Sequence, residues 1–223
     1  MKVTVVVPYT PGQPARERAW EWVQARYRER HPDYNLVVAT GPAEPWCKAR
    51  LVMPAVHDAP DGVVVVADAD VWTDNLTAAV NAVAGGYAWA IPHRRVYRLT
   101  DDATAAVLAG AEPDRRLGLE EPPYVGCPAG GIVVLPKATA LDVPLDPRFV
   151  GWGGEDRSWG WALRILLGGA WRSDAALWHL WHPPQPRETR NRGNAANDAL
   201  RARYDAIRCD AAAMRALLEE VKP

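Results

Sequence analysis

Cysteine is scarce in this chain. Its 223 residues hold only Cys47, Cys127 and Cys209. An odd, widely spaced set excludes a disulfide framework and fits no zinc pattern, so free, packed thiols in a reducing compartment are expected. Lysine is equally sparse, at positions 2, 48, 137 and 222, and the formal net charge is −1. No global field therefore recruits nucleic acid or an anionic membrane, and any basic surface must be local. One such excess lies between Pro183 and Arg208, where six arginines (187, 190, 192, 201, 203, 208) outnumber Glu188, Asp198 and Asp205. It can serve phosphate or simply solvate helices. No apolar stretch approaches the roughly 20 residues that span a bilayer, and the run in MKVTVVVPYT breaks at Pro8 without a small-residue cleavage pattern. A cytoplasmic chain without a membrane span is expected. Internal repeats and low-complexity linkers are missing too, and the length suits one domain with its own core.

What the chain does have is an alternation of strand-like and helix-like segments. Val3–Val7 is an uninterrupted apolar run, followed by the loop PYTPGQP and a helical pattern over Ala15–Arg30. A second strand is predicted at Leu36–Ala39 and a helix over Pro45–Val56. A third strand, Val63–Ala67, shows no polar alternation and so must be buried on both faces. Thr73 or Asp74 can cap a helix running to Ala84. Strands follow at Tyr87–Ile91, Gly130–Leu135 and Ala176–Trp181, with a helix over Glu155–Leu167. From Ala195 the pattern is helical, interrupted near Cys209 and Asp210, and residues 100–125 give no clear signal. The order predicts a Rossmann-like α/β fold, a mixed, mostly parallel sheet flanked by helices. Its ligands would lie beyond the strand C-termini.

Three clusters carry chemistry. Asp68 and Asp70 flank Ala69 at the end of the third strand; in an extended segment their side chains share one side and can converge on a hard cation. The segment also suits a solvated turn or helix cap. In FVGWGGEDRSWGW, glycines 151, 153 and 154 permit a tight turn with close ligand approach, and Glu155 and Asp156 open a helix whose dipole favours acids there. Tryptophans beside that turn can stack on pyranose rings while the acids take hydroxyl protons. In WHLWHPP, His179 and His182 supply imidazoles that suit a borderline metal such as Mn2+, with His182 the stronger candidate.

In this order the sequence resembles the metal-dependent GT-A glycosyltransferases, and most closely the C-terminal half of the β-1,4-galactosyltransferase family. The resemblance is carried by VVVPYTPGQPARER, CKARLVMPAV, DAD at 68–70, AGGIVVLP, GWGGED at 151–156 and HLWHPP. It implies a GT-A domain over 1–194, with 195–223 a helical extension of the same domain. It also implies that Asp70, His182 and His179 hold Mn2+ (or Mg2+), with Asp68 nearer the donor ribose or orienting the site. Asp156 would be the catalytic base and Glu155 would hold substrate hydroxyls. Pro8, Tyr9, Thr10 and Arg16 would border the nucleoside, Lys48 and Arg50 line the same pocket, and Trp152 and Gly153 face the sugars. The segment PRETRNRG, with Arg187 and Arg190, would close as a lid over the donor phosphates. GWGGED continues as RSWGW where the animal enzymes carry further acids, so a different acceptor environment is expected.

The implied activity is transfer of a hexose from a UDP-sugar to an acceptor hydroxyl, with inversion. Asp rather than Asn after Glu155 favours an inverting base. The acceptor stays open among glycan, protein, small molecule and modified nucleic acid. Two other readings compete: a sugar-nucleotidyltransferase-like phosphoryl-transfer enzyme, although PYTPGQPARER is poor in glycine for a triphosphate loop, and a non-catalytic carbohydrate-binding module built on the tryptophans.

Overall fold

The valine run Val63–Ala67 forms a central strand whose five residues are all at most 5% exposed. In the computed structural model, which describes residues 1–41, 45–184 and 194–221, this strand organises everything else. The chain opens with β1 (Val3–Tyr9), α1 (Pro14–Arg30), β2 (Asn35–Thr40), α2 (Lys48–Asp58) and β3, the valine run itself. Next come β4 (Val71–Trp72), α3 (Leu76–Ala84), β5 (Ala90–Ile91), β6 (Arg95–Arg98) and α4 (Asp101–Leu108). A single 3-10 turn at Arg115–Leu117 leads to β7 (Ile132–Pro136) and α5 (Lys137–Asp142). The chain then runs through α6 (Glu155–Leu167), β8 (Trp171–Arg172), β9 (Ala176–His179), α7 (Ala195–Ala206) and α8 (Ala211–Glu219).

Six strands form one sheet in the order β2-β1-β3-β7-β5-β8, in which β7 alone runs antiparallel to its neighbours. Alternate side chains on these strands enter opposite cores, as the two-residue period of a strand requires. Val5, Val65 and Val134 pack against α1, α3 and α4. Val6, Val64 and Val133 face the other way, against α2, α6, α7 and α8. The C-terminal helices share that second core through Leu200, Tyr204, Met214, Leu217 and Leu218. A fully buried valine of this kind contributes about 1.5 kcal/mol or more through removal from water.

A second, three-stranded sheet, β4-β9-β6, leans over the edge where β3 ends. Val71 pairs with His179 and Trp72 with Trp178, so the residues just after the acidic pair lie beside those just before the second histidine.

Element boundaries differ from the sequence reading where side chains take other partners. The helix predicted from Pro45 starts at Lys48, because Cys47 is still extended as its N-cap. Thr73 donates to the Pro92 carbonyl and Asp74 accepts from the Trp72 indole, so Asn75 is the cap of α3. The strand expected over 87–91 shrinks to Ala90–Ile91, because the Tyr87 amide closes the end of α3 on the Ala82 carbonyl. β9 stops at His179 because the Leu180 amide turns to the Asp70 carbonyl and the Trp181 amide to the Thr104 hydroxyl. Cys47 is packed as expected, but Cys209 is exposed, since it sits in the turn between α7 and α8. Among the described residues no helix is long and apolar enough to cross a membrane.

Candidate active site

Asp68 and Asp70 follow β3 at the sheet edge, yet they meet different neighbours. Asp68 is clasped by Gly131: its amide donates to the Gly131 carbonyl at 2.8 Å, and its Oδ2 accepts from the Gly131 amide at 3.2 Å. Gly131 has φ +83°, a conformation that favours glycine, and a β-carbon there would stand 2.5 Å from the Leu177 side chain. Asp70 lies between β3 and β4, where the two sheets meet, with its side chain 4% exposed.

Around Asp70 the described residues form one group of candidate metal ligands. Its carboxylate, His179 and His182 each offer a ligand atom within 4.8 Å of the others. His182 Nε2 lies 3.1 Å from Asp70 Oδ2, and His179 Nε2 lies 3.9 Å from Oδ1. The Nδ1 of His182 sits 2.8 Å from the Pro183 carbonyl, which can only accept. Nδ1 therefore carries a proton, and Nε2, the nitrogen that faces Asp70, is the one that would ligate a metal. Burial pushes the His179 imidazole down to about 4, against the opposing pull of Asp70, so it is neutral near pH 7 and able to ligate. Burial alone would raise the Asp70 carboxyl, but His179, His182 and Arg16 outweigh it and hold it well below the usual carboxylate range. Arg16 reaches in from α1, 3.2 Å from Asp70 Oδ2. A carboxylate with two imidazoles fits Mn2+ better than Mg2+, which prefers an all-oxygen shell.

The second acidic pair enters from the other side. Glycines 151, 153 and 154 all have positive φ, and a β-carbon on Gly154 would lie 2.8 Å from the Phe149 ring. The turn delivers Glu155 and Asp156 to the first turn of α6. Lys48, at the start of α2, donates to Asp156 Oδ1 and to Asp68 Oδ1, both at 2.8 Å. Burial opposes its charge, but Asp156 and Asp68 more than compensate and keep the ammonium protonated. Burial pushes Glu155 up to about 7, with the Asp156 charge adding to it. Asp156 is also raised, chiefly by burial, despite Lys48. The Glu155 Oε2 is buried without a hydrogen-bond partner among the described residues.

Pro8 and Tyr9 end β1, the Tyr9 ring lies 5.8 Å from Trp20, and Thr10 donates to the Gly41 carbonyl at 3.1 Å. Trp152 and Gly153 lie in the turn before α6, half-buried. Arg50 is exposed, turned about 200° around α2 from Lys48. Arg187, Arg190 and the segment read as a lid lie outside the described residues. Sequence reasoning missed the Lys48 bridge, the Arg16–Asp70 pair and two asparagines of α7 that hold the turn before Glu155. None of these has a local signature, because each joins residues 20 or more positions apart.

No protein-family model and no curated protein matches the sequence. GalNAc-T7, solved with UDP, GalNAc and Mn2+, superposes over 98% of this chain and 54% of its own, with TM-score 0.59 and 11% identity. The chain thus spans about half of that protein. S. aureus TarS 1-349 in complex with UDP superposes over 99% of this chain and 70% of its own, with TM-score 0.51 and 11% identity. The fold is that of the GT-A glycosyltransferases. The catalytic domain of Drosophila β1,4-galactosyltransferase 7 in complex with xylobiose aligns over 86% of this chain and 68% of its own at 16% identity. The TM-score of that superposition is 0.43.

Proposed function

We propose that the chain is a nucleotide-sugar-dependent glycosyltransferase that moves a hexose from a UDP-sugar to an acceptor hydroxyl, with inversion. One observation carries the reading: ligand atoms of Asp70, His179 and His182 lie within 4.8 Å of one another, and Lys48 joins Asp68, two residues from Asp70, to Asp156. UDP and Mn2+ in GalNAc-T7, a protein of the same fold, support the choice of donor and metal.

In this reading Asp70, His179 and His182 hold Mn2+, which when bound supplies the counter-charge for a leaving diphosphate. Arg16 adds a fixed positive charge beside it. Pro8, Tyr9 and Thr10 border the nucleoside, Asp68 faces the ribose, and Trp152 and Gly153 face the sugars. Asp156 accepts the acceptor hydroxyl proton as that oxygen attacks the anomeric carbon, and the bond to the diphosphate breaks on the opposite face. One oxygen of Asp156 is occupied by Lys48, which leaves Oδ2 to take the proton. The unpaired Glu155 Oε2 takes a substrate hydroxyl. A single displacement inverts the centre. Arg187 and Arg190 contribute to phosphate binding, and the free cysteines suit a cytoplasmic protein.

The test is a thermal-shift screen of nucleotide sugars with and without Mn2+, followed by product analysis. The expected result is Mn2+-dependent stabilisation by a UDP-sugar and slow release of free sugar in the absence of acceptor. Transfer of the nucleotide instead of the sugar would establish phosphoryl transfer, and binding without any turnover would leave a binding module.

A further inference from the structure

The turn that delivers Asp156 has little regular structure of its own. Between Phe149 and Glu155 the backbone makes no strand ladder and passes through three glycines with positive φ. Such a segment has many accessible conformations and a high entropic cost of ordering, so something outside it must set its shape. The described partners come mainly from α7, some 45 residues further along the chain.

Asn197, in the first turn of α7, is 2% exposed. Its Oδ1 accepts from the Val150 amide at 3.2 Å, and its Nδ2 donates to the Val150 carbonyl at 3.0 Å and the Trp152 carbonyl at 3.3 Å. The amide is thus used at both ends, and its orientation is dictated by the Val150 N–H, which can only donate. Asn194, the N-cap, accepts from the Asn197 amide at 2.8 Å and donates to the Val150 carbonyl at 2.8 Å. The rest of that helix face continues along the same segment. The Tyr204 hydroxyl donates to Asp146 at 2.8 Å before the turn, and Asp205 pairs with Arg157 at 3.3 Å after it. On the far side the Gly151 amide donates to the Trp46 carbonyl at 2.7 Å.

A buried asparagine is a poor choice for helix propensity and for core packing. Its two-ended use on a loop backbone gives it a purpose that an apolar residue could not serve. We propose that Asn197, supported by Asn194, is a positioning residue for the base: it holds Val150 and Trp152 so that the glycine turn presents Asp156 to the cleft at the distance Lys48 records. This rests on the transferase reading. An error of about 1 Å at a reacting group costs on the order of 100-fold in rate, so loosening the clamp should lower turnover without touching donor binding.

The experiment uses the full chain and three variants. Asn197→Ala removes the clamp. Val80→Ala, a 2%-exposed core residue of α3 on the opposite face of the sheet, serves as a control for lost stability alone. Asn194→Ser keeps an N-cap and deletes only the amide donor to Val150. Turnover is followed as UDP-sugar hydrolysis at a temperature where all variants are folded, UDP–Mn2+ affinity by calorimetry, and amide exchange by mass spectrometry over residues 148–157. For Asn197→Ala the expectation is a loss of turnover of roughly 10- to 100-fold, unchanged UDP–Mn2+ affinity and faster exchange confined to that peptide. Asn194→Ser should lose about three- to tenfold, the worth of one hydrogen bond, and Val80→Ala should keep its turnover. The proposal is overturned if Asn197→Ala turns over like the parent, or if Val80→Ala with an equal loss of Tm slows just as much. Should Asn197→Ala fail to fold, unchanged turnover and exchange in Asn194→Ser overturn it. If the parent chain hydrolyses no nucleotide sugar, the transferase reading fails by itself, and exchange over 148–157 still decides whether Asn197 holds the turn.

Discussion

Asp70 follows a strand and Asp156 opens a helix, and although they are the same residue type their surroundings drive them apart. Asp70 is buried among His179, His182 and Arg16 and stays ionised far below the usual range. Asp156 is raised by burial with Asp68 adding to it, even with Lys48 in contact, and its neighbour Glu155 is pushed up to about 7. A carboxylate held permanently charged suits a cation. One whose proton affinity has been raised suits proton transfer. Two acids with opposed environments are how one site divides these tasks.

The sharpest way to break this contrast is to neutralise one side. Asp156→Asn keeps the shape and Lys48 keeps Asp68, so UDP–Mn2+ affinity should persist while turnover falls by about 1,000-fold or more, in the range of general-base catalysis. A variant with full turnover would remove Asp156 as the base. On the other side, Asp70→Ala should weaken Mn2+-dependent UDP binding about 100-fold or more, since it takes away the only carboxylate of the cluster. Calorimetry that finds the same affinity in parent and variant would detach the cluster from donor binding.

Lys48→Met probes the bridge between the two regions. It leaves Asp68 and Asp156 facing each other without the shared ammonium, which should cost about 2 kcal/mol of stability, less than a fully buried pair because the acids are 30% and 25% exposed. The loss requires both acids to be ionised. The Tm difference from the parent should therefore be larger at pH 8 than at pH 5, and an equal difference at both would argue against the bridge.

The smallest effect is expected at Glu155. Its carboxyl is raised in the folded chain from 4.5 to about 7, so the folded state binds more protons than the unfolded one between those values, and stability falls as pH rises through that window. Glu155→Gln removes the charge, so it should raise Tm by about 2–4 °C above pH 7, where the parent carries it, with the gain gone near pH 4.5. A gain that is independent of pH would mean that the carboxyl is not raised.

Legibility followed the length and regularity of each element. Val63–Ala67 and Glu155–Leu167 run in the structure over the same residues that the sequence suggests. A five-residue valine run has one way to be buried, and a glycine pair followed by acids has one obvious place to start a helix. β4, β5 and β8 have two residues each, too few to show a period, and exist because neighbouring strands offer them hydrogen bonds. Within 100–125 the helix α4 is alanine-rich but short, and the sequence shows no clear stripe for it. The Asp and His types at the cleft were readable as types, while Asn197 was not: an asparagine in a C-terminal helix announces nothing until the loop it grips is seen.

By itself, then, the sequence determined which segments must be buried and which residues carry chemistry, because burial and side-chain chemistry are properties of short stretches. Only the tertiary structure decided that β4 pairs with β9 and so sets Asp70 against His179 and His182, that Lys48 joins Asp68 to Asp156, and that α7 holds the turn before Glu155. The physical reason is the range of the forces. A hydrogen bond or ion pair acts over about 3 Å, and residues more than 100 positions apart enter that range only once two cores have closed on the sheet between them.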